Sequence, residues 1–243
     1  MSDTNETMIT AVMTAHGEGA LAGVSYKNMC NTVEFAQANG ISVQKLLFLD
    51  RADQYTSAVF NGLDQSDVTI VETDFGDQGK VRNTAAEMAN GEYIAFIDGD
   101  DLWSDNWLCE AHTLLKQFGD RGIAHPEFNW FFGGVSSVLI NVDQESAEYE
   151  EDFLRHANYW DAMCMAKTST HLAHPYCERR IKAGFAFEDW HWNCETVSAG
   201  FIHKVVPDTI HFKRRRSNSQ TIEASGNRSM MPETVLTDFA KSA

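Results

Sequence analysis

The sequence has 243 residues, 43% of them hydrophobic and 11% aromatic, which is typical of a globular protein with a sizeable core and not of a disordered chain. Its 35 acidic and 19 basic residues give a formal net charge of −16, which repels phosphate polymers and anionic lipids and argues against binding to nucleic acid or to a membrane surface. The length fits one large α/β domain.

The cysteines and the apolar stretches predict a cytoplasmic protein. The five cysteines are odd in number, widely spaced and without a CxxC pair, so neither a disulfide framework nor a thiolate zinc site is predicted. The apolar residues 8–14 are followed at once by His16 and Glu18, which argues against a signal peptide. No stretch approaches the roughly 20 apolar residues of a membrane span, so attachment to the inner face of a membrane would need a partner.

The first half of the sequence alternates short apolar runs with amphipathic segments, the pattern of a wound, mostly parallel sheet with helices on both faces. Strands are predicted at residues 9–14, 45–50, 68–72 and 92–98, and helices at 22–38, 54–62, 80–90 and 104–118. Gly91 follows the third helix as a C′ glycine would.

The second half is less regular and indicates an α+β arrangement. A strand is predicted at residues 135–141, a helix at 185–200, and two strands near 202–206 and 209–213. From about Ser217 the sequence is rich in Ser, Asn and Thr without apolar periodicity, which predicts a mobile tail or a loop that becomes ordered on binding.

Polar residues gather at the carboxyl ends of the four predicted parallel strands, the edge at which open α/β sheets bind ligands. They are Thr14, His16 and Glu18 after the first strand, Asp50 and Asp53 after the second, Glu72, Asp74 and Asp77 after the third, and Asp98, Asp100 and Asp101 after the fourth. The sequence therefore predicts a polar ligand pocket along this edge.

The strongest local signal is Asp98-Gly99-Asp100-Asp101 at the end of a buried strand. Because carboxylates are costly to desolvate, this spacing predicts a cation among them. Magnesium or manganese fits, since each takes one or two carboxylates and completes its shell with water and phosphate oxygens. Gly99 would let a ligand approach the backbone. The alternative, an acidic start to the next helix, explains Asp101 better than Asp98.

The segment from Gly79 to Asp101 resembles the stretch that leads into the DXD motif of glycosyltransferase family 2. The resemblance covers about residues 8–219. It implies a GT-A (nucleotide-diphospho-sugar transferase) fold, a UDP-, GDP- or dTDP-sugar donor, a Mn²⁺ or Mg²⁺ cofactor and a glycan or other hydroxyl acceptor. One domain is then expected over residues 1–217, with a nucleotide-binding half at about 8–103, an acceptor-binding half at about 104–217 and a polar tail at 218–243.

The resemblance also implies roles for residues on the donor side. Asp100 would ligate the metal, with Asp101 in support. The residues expected near the nucleotide sugar are Thr14, His16, Glu18, Asp50, Arg82, Asn83, Asp98 and Gly99. Asp50 matches the first acid of the family's run after its second strand, whereas residues 15–18 and 51–53 depart from the family pattern, which leaves the donor base open.

A second segment, Ala183 to Trp192, is similar to the family's Glu-Asp motif. Transfer with inversion needs a base for the acceptor hydroxyl, and the resemblance assigns this role to Asp189, with Glu188 holding the local geometry. Trp190 and Trp192, together with Trp130 of an aromatic run, are expected on the acceptor side. A helix with acidic residues in its first turn is the alternative.

A third segment, His211 to Ser219, follows a predicted strand and is basic. In related enzymes a C-terminal His or basic residue closes over the diphosphate, which implies His211 as a further metal ligand and Arg215, or its neighbour Arg214 or Arg216, as a phosphate contact. A packed histidine and a solvated charge run are the alternatives.

These features together predict an inverting, metal-dependent hexosyltransferase of polysaccharide biosynthesis and leave a homodimer open as its assembly. Three alternatives remain, of which a metal phosphohydrolase would be expected to show a denser set of His and Asp ligands. A sugar-phosphate nucleotidyltransferase would need a basic, glycine-rich loop after the first strand, where Gly17-Glu18-Gly19 supplies glycine without the cation. A non-catalytic nucleotide-sugar-binding protein of the same fold would bind the donor and transfer nothing.

Overall fold

The computed structural model describes residues 8–63, 66–216 and 220–238. Within these ranges the strands are β1 (Ile9–Ala15), β2 (Val43–Asp50), β3 (Thr69–Thr73), β4 (Tyr93–Asp98), β5 (Leu102–Trp103), β6 (Gly122–Gly133), β7 (Ser137–Ile140), β8 (Met165–Lys167) and β9 (Ile202–Arg215). The helices are α1 (Ala20–Ala38), α2 (Gln54–Phe60), α3 (Gln78–Met88), α4 (Trp107–Phe118), α5 (Thr168–Ala173), α6 (Glu188–Ser198) and α7 (Gln220–Gly226).

The strands form one mixed sheet in the order β3-β2-β1-β4-β8-β6-β9-β5, with β7 paired to β6. β3, β2, β1 and β4 are parallel, which confirms the predicted wound half. β8 then pairs antiparallel with β4 and β6, and β9 runs parallel to β6 and antiparallel to β5. This change of direction gives the second half its α+β character and confirms the predicted fold class.

The parallel strands β1, β2 and β4 are buried on both faces, which explains their continuous apolar runs, whereas β3 lies at the edge of the sheet and is more exposed. Ile9, Ala11 and Met13 of β1 belong to one core cluster, under α1 and α4, while Val12 belongs to a second cluster under α3. No helix in the described ranges is long and apolar enough to cross a membrane.

Gly91 and the last strand differ from the sequence-based expectations. α3 ends at Met88, and Gly91 serves another purpose: a Cβ there would lie 2.5 Å from the backbone of Ile9 and Thr10, so only glycine lets the chain pass β1. The two strands predicted near 202–206 and 209–213 are the single strand β9. Between the two predicted strands, Asp208 has φ 59° and the pairing of β9 with β6 shifts in register beside Pro126. The chain therefore forms a bulge within one strand at this point.

The C-terminal segment, residues 220–238, is more structured than its composition indicates. It begins with α7, its Met230 forms hydrogen bonds with the backbone on either side of Phe185, and Leu236 belongs to a core cluster with Leu154 and Trp160. The expectation of a mobile tail is therefore wrong for these residues. Residues 217–219 and 239–243 lie outside the described ranges, and the division into two functional halves stays a prediction.

Candidate active site

The carboxyl ends of β1 to β4 meet at one edge, and Asp98 is anchored there by three donors. Its Oδ1 accepts hydrogen bonds from Thr14 Oγ1 at 3.3 Å, from Arg82 Nη2 at 3.2 Å and from the side-chain amide of Gln78. Thr14 and Arg82, both predicted for this site, thus contact Asp98 directly. Gln78 was not predicted, because nothing distinguishes its side chain from an ordinary polar residue at the start of a helix.

Arg82 joins the two acidic motifs. Its side chain is 3% exposed, and its Nη1 lies 3.4 Å from Glu188 Oε1 while Nη2 bonds Asp98. Burial alone lowers the pKa of the Arg82 guanidinium, but Asp98, Tyr176 and Glu188 together raise it above its usual value. Arg82 therefore stays charged and fixes the start of α6 relative to the end of β4.

Asp100 lies beside Arg214 of β9 and Arg216, the residue that follows this strand. Its Oδ2 is 3.0 Å from Arg216 Nε and 3.7 Å from Arg214 Nη1. Burial raises the pKa of Asp100 to about 6, although Arg216 opposes this. Within the described part of the chain this oxygen is buried and accepts no aligned hydrogen bond, so it is an acceptor that a cation could use.

Asp101 is held inside the fold. Its Oδ1 accepts a hydrogen bond from Arg214 N at 2.7 Å, and its Oδ2 lies 3.1 Å from Lys213 Nζ. Lys213 also contacts Asp161 Oδ2 at 3.2 Å. Burial by itself would raise the pKa of Asp161, but Lys213, His211 and the Met163 N–H lower it to about 2. Both oxygens of Asp101 are thus already engaged by the protein.

Lys213 and Asp161 were missed as members of the site. Lys213 is the first residue of the basic run, and strand alternation places it on the opposite side of β9 from Arg214. Asp161 is a lone carboxylate next to the buried residues Trp160 and 162–166. Because a buried charge is costly without a partner, this pattern could have indicated that Asp161 pairs with a cation in the site.

Asp100 is the carboxylate of the first acidic motif whose buried oxygen accepts no aligned hydrogen bond from the described residues. Magnesium and manganese need only one or two protein carboxylates, and the described residues contain no group of three or more metal-ligating side chains. His211 is fully buried, with its ring 4.5 Å from that of Trp107, and burial lowers its pKa to about 3. His211 is therefore a core residue against α4, and its assignment as a metal ligand stays a prediction.

The Glu-Asp motif opens α6 from a strained residue. Phe187, at φ 66°, is in the left-handed region immediately before Glu188. Glu188 is 7% exposed and contacts Arg82, whereas Asp189 is partly exposed and accepts a hydrogen bond from Trp190 N at 2.8 Å. Burial and the charge of Glu188 raise the pKa of Asp189, as suits a base that works near neutral pH.

The three predicted acceptor-side tryptophans differ in placement. Trp130 is 46% exposed, and its ring centroid lies 6.1 Å from that of Phe212. Trp190 is half-buried and bonds Leu154 O through its indole N–H. Trp192 is 1% exposed and stacked on His171, so the structure corrects its assignment: the ring is covered and cannot face a sugar.

His16, Glu18 and Asp50 form the outer edge of the site through contacts with the protein itself. His16 Nδ1 lies 2.7 Å from Asp50 O, and Glu18 Oε1 lies 3.4 Å from Arg216 Nη2. The Asp50 carboxylate accepts hydrogen bonds from Thr73 Oγ1 and from the backbone N–H groups of residues 75 and 76. Asp50 therefore shapes the loop after β3.

Three further predicted residues, Asn83, Gly99 and Arg215, make contacts within the protein, and their roles toward the donor stay predictions. Asn83 makes two hydrogen bonds to the backbone of Tyr176 and so clamps that loop. A Cβ at Gly99 would lie 3.0 Å from Thr14 O, so the close approach at Gly99 is to β1. Arg215 lies over the Phe131 ring at 4.2 Å, on the other face of β9 from Arg214 and Arg216, which are the arginines that reach Asp100.

Residues 11–133, more than half of the chain, match the profile described as Glycosyl transferase family 2. The chain belongs to this family. The match runs from β1 to the end of β6 and so includes Asp98, Asp100 and Arg82. Membership supports a role in glycosyl transfer.

One curated relative is the amylovoran biosynthesis glycosyltransferase AmsB of Erwinia amylovora, 26% identical over 98 residues that make up 40% of this chain and 30% of the relative. Among solved structures, S. aureus TarS 1–349 with UDP-GlcNAc aligns at TM-score 0.66 and 14% identity over 90% of this chain and 60% of TarS. The Pyrobaculum calidifontis mannosyltransferase PcManGT with GDP-Man and Mn²⁺ aligns at TM-score 0.60 and 13% identity over 89% and 59%. These likenesses confirm the GT-A fold, and this chain spans about three-fifths of each solved one.

Proposed function

We propose that the protein is an inverting, metal-dependent glycosyltransferase that moves a sugar from a nucleotide diphosphate to an acceptor hydroxyl. The observation that carries the proposal is Arg82, which holds Asp98 of the first acidic motif and Glu188 of the second on one buried guanidinium. A cation-binding carboxylate, Asp100, and a carboxylate of raised pKa, Asp189, are thereby fixed at one edge of the sheet.

Asp100 would hold the metal, which supplies charge neutralisation for the departing nucleoside diphosphate. Arg214 and Arg216 already lie beside Asp100, and their guanidinium groups are suited to bind phosphate oxygens in pairs. Both arginines would exchange part of their contact with Asp100 for the diphosphate once the metal neutralises that carboxylate.

Asp189 would take the proton of the acceptor hydroxyl. The acceptor oxygen then forms a bond to the anomeric carbon as the bond from that carbon to the phosphate oxygen breaks, and the electron pair leaves with the nucleoside diphosphate. One in-line displacement inverts the anomeric centre. A base such as Asp189 typically contributes about 10²–10⁴-fold to the rate.

The relatives suggest the classes of donor and product. TarS structures contain UDP-GlcNAc or UDP, and the PcManGT structure contains GDP-Man with Mn²⁺. From these two neighbours we propose that this protein uses a UDP- or GDP-sugar donor with Mn²⁺ or Mg²⁺. From AmsB we propose a role in polysaccharide biosynthesis. Of the three tryptophans predicted on the acceptor side, we propose that Trp130 contacts the acceptor, because its ring is exposed. All five cysteines are free in the structure, which supports a cytoplasmic location.

The test is hydrolysis and transfer of UDP-GlcNAc and GDP-mannose, with and without Mn²⁺, by wild type, Asp100→Asn and Asp189→Asn. Asp152→Asn is the matched control, because Asp152 is a largely exposed carboxylate whose ion pair, within the described ranges, is with Arg155. We expect losses of about 10²-fold or more for the two site variants and none for the control. Near-wild-type rates in either variant would remove that residue from its role. Donor binding without any transfer would favour the non-catalytic alternative, and transfer of a nucleotidyl group would favour the nucleotidyltransferase.

A further inference from the structure

Glu188 lies between two buried arginines. Arg82 Nη1 is 3.4 Å from its Oε1, and Arg179 Nε is 3.7 Å from its Oε2. The side chain of Arg179 is 8% exposed, and its Nη2 reaches Glu223 Oε2 at 3.6 Å. Charges therefore alternate from Asp98 through Arg82, Glu188 and Arg179 to Glu223, and this path links β4 to α7 in the C-terminal segment.

Both arginines are tied to α3. Arg82 belongs to that helix, and the backbone N–H of Arg179 donates to Asp77 Oδ2 at 2.8 Å. Asp77 is the N-cap of α3, since its Oδ1 accepts a hydrogen bond from Lys80 N at 3.0 Å. Glu188 is consequently held from both sides by groups whose positions α3 determines.

The C-terminal segment supports the same short stretch of backbone. Met230 N donates to Gly184 O at 2.8 Å, and Ala186 N donates to Met230 O at 3.0 Å, so a β-bridge forms just before Glu188. Farther along, Val235 N donates to Glu195 of α6 at 3.3 Å. The segment thus contacts α6 both before its first residue and along its length.

We propose that Arg179, supported by Glu223 of the C-terminal segment, is a positioning residue for Asp189. The inference rests on the proposed function, in which Asp189 is the base. Arg179 fixes the direction of the Glu188 carboxylate and neutralises part of its charge. Because Phe187 is in the left-handed region, the backbone alone holds this helix start poorly, and the side-chain contacts of Glu188 supply the remaining constraint.

Arg179 also sets the electrostatic environment of the base. The charged groups that face Asp189 are Glu188, Arg82 and Asp161, and Glu188 raises the pKa of Asp189 most among them. Removal of Arg179 leaves the negative charge of Glu188 less compensated, which pushes the pKa of Asp189 further up. A base with a higher pKa is protonated at a higher pH, so the acid limb of the kcat profile should move upward.

The experiment compares Arg179→Gln, Arg179→Lys and Glu223→Gln, with Arg180→Gln as the matched control. Arg180 is the adjacent arginine, and its guanidinium lies over the Phe185 ring at 5.0 Å, away from Glu188. For Arg179→Gln we expect kcat for UDP-GlcNAc or GDP-mannose hydrolysis to fall about tenfold, with donor KM within about twofold and the acid limb shifted upward. Arg179→Lys should recover part of the lost kcat and should move the acid limb part of the way back to its wild-type pH. Glu223→Gln should give the same changes at smaller size, because Glu223 is 58% exposed.

Two results would overturn the inference. One is an unchanged kcat and pH profile in folded Arg179→Gln. The other is a loss of kcat in Arg179→Gln that is accompanied by a lower Tm, while the acid limb of the pH profile stays at its wild-type pH and Arg179→Lys recovers no activity. That result would indicate that Arg179 only supports the structure. If Arg179→Gln does not fold, the pH of the acid limb in Arg179→Lys and Glu223→Gln tests the inference instead, and an unshifted limb in both would overturn it. A near-wild-type Asp189→Asn enzyme would refute the proposed function itself, whereas an inactive Asp189→Asn beside a normal Arg179→Gln refutes only the role of Arg179.

Discussion

Asp98 and Glu188 are 90 positions apart in the numbering and share one cation, since Arg82 Nη2 is 3.2 Å from Asp98 Oδ1 and Arg82 Nη1 is 3.4 Å from Glu188 Oε1. The contact joins the end of β4 to the start of α6. A carboxylate that belongs to the proposed donor site and one that belongs to the proposed base motif are therefore fixed relative to each other through a side chain that is 3% exposed.

Replacement of Arg82 should cost stability as well as activity. Arg82→Met leaves Glu188 with one partner fewer in the interior, and removal of one member of a buried ion pair typically costs about 3–5 kcal/mol. Urea unfolding should show this loss in the free energy of unfolding. Arg51→Met is the control, because Arg51 and Asp74 form an exposed pair, and it should change stability little. A loss in Arg82→Met no larger than in this control would contradict the assignment.

The parallel half of the fold was predictable because its strands are short apolar runs, three of them buried on both faces, and each run ends in polar residues. β1 to β4 lie within about two residues of their predicted bounds. β9 was predicted as two strands, because Pro207 and Asp208 indicate a turn in sequence, and only pairing with β6 shows that they form a bulge. The structure of the C-terminal segment also depends on residues distant in sequence, since Leu236 joins a core cluster with Leu154, and the polar composition of the segment does not reveal this.

Asp161 should stabilise the protein in a pH-dependent way. Its folded pKa of about 2 lies below the unfolded value of about 3.9, so the stabilisation is present above about pH 4 and is lost as the pH falls toward 2. The shift corresponds to about 2–3 kcal/mol. Asp161→Asn should be less stable than wild type in urea at pH 7, and the gap should shrink at pH 3. A gap that is independent of pH would contradict the ion pair with Lys213.

Trp130 and Trp192 should respond in opposite ways to alanine. Trp192→Ala empties a core position that is 1% exposed and should lower the free energy of unfolding by about 3–5 kcal/mol. Trp130→Ala removes a ring that is 46% exposed and should leave the Tm nearly unchanged. It should instead raise the acceptor KM and leave donor hydrolysis intact. Unchanged acceptor kinetics in Trp130→Ala would remove this ring from the acceptor surface.

The acidic motifs could be predicted from the sequence, whereas the basic residues that contact them could not. Asp98, Asp100 and Asp189 stand out because carboxylates cluster beside apolar runs. The choice among Arg214, Arg215 and Arg216 depends on which face of β9 each occupies, and the composition of a basic run does not fix that register. The strand places Arg215 over Phe131 and the other two at Asp100. Trp192 was misassigned for a similar reason, because its rotation about α6 turns it toward His171.

Arg216 should weaken metal binding in the free protein and strengthen it once a diphosphate is present. Its Nε lies 3.0 Å from Asp100 Oδ2, so it competes with a cation for that oxygen, and removing it frees the carboxylate. In Arg216→Gln, Mn²⁺ alone should therefore raise the Tm more than it does in wild type. Mn²⁺ with UDP or GDP should raise it less, because one cation for the diphosphate is lost, and a tenfold change in affinity corresponds to about 1.4 kcal/mol. Arg215→Gln is the matched control, since Arg215 lies over Phe131, and it should behave as wild type in both titrations. Equal responses of Arg216→Gln and Arg215→Gln would contradict a role for Arg216 at the diphosphate.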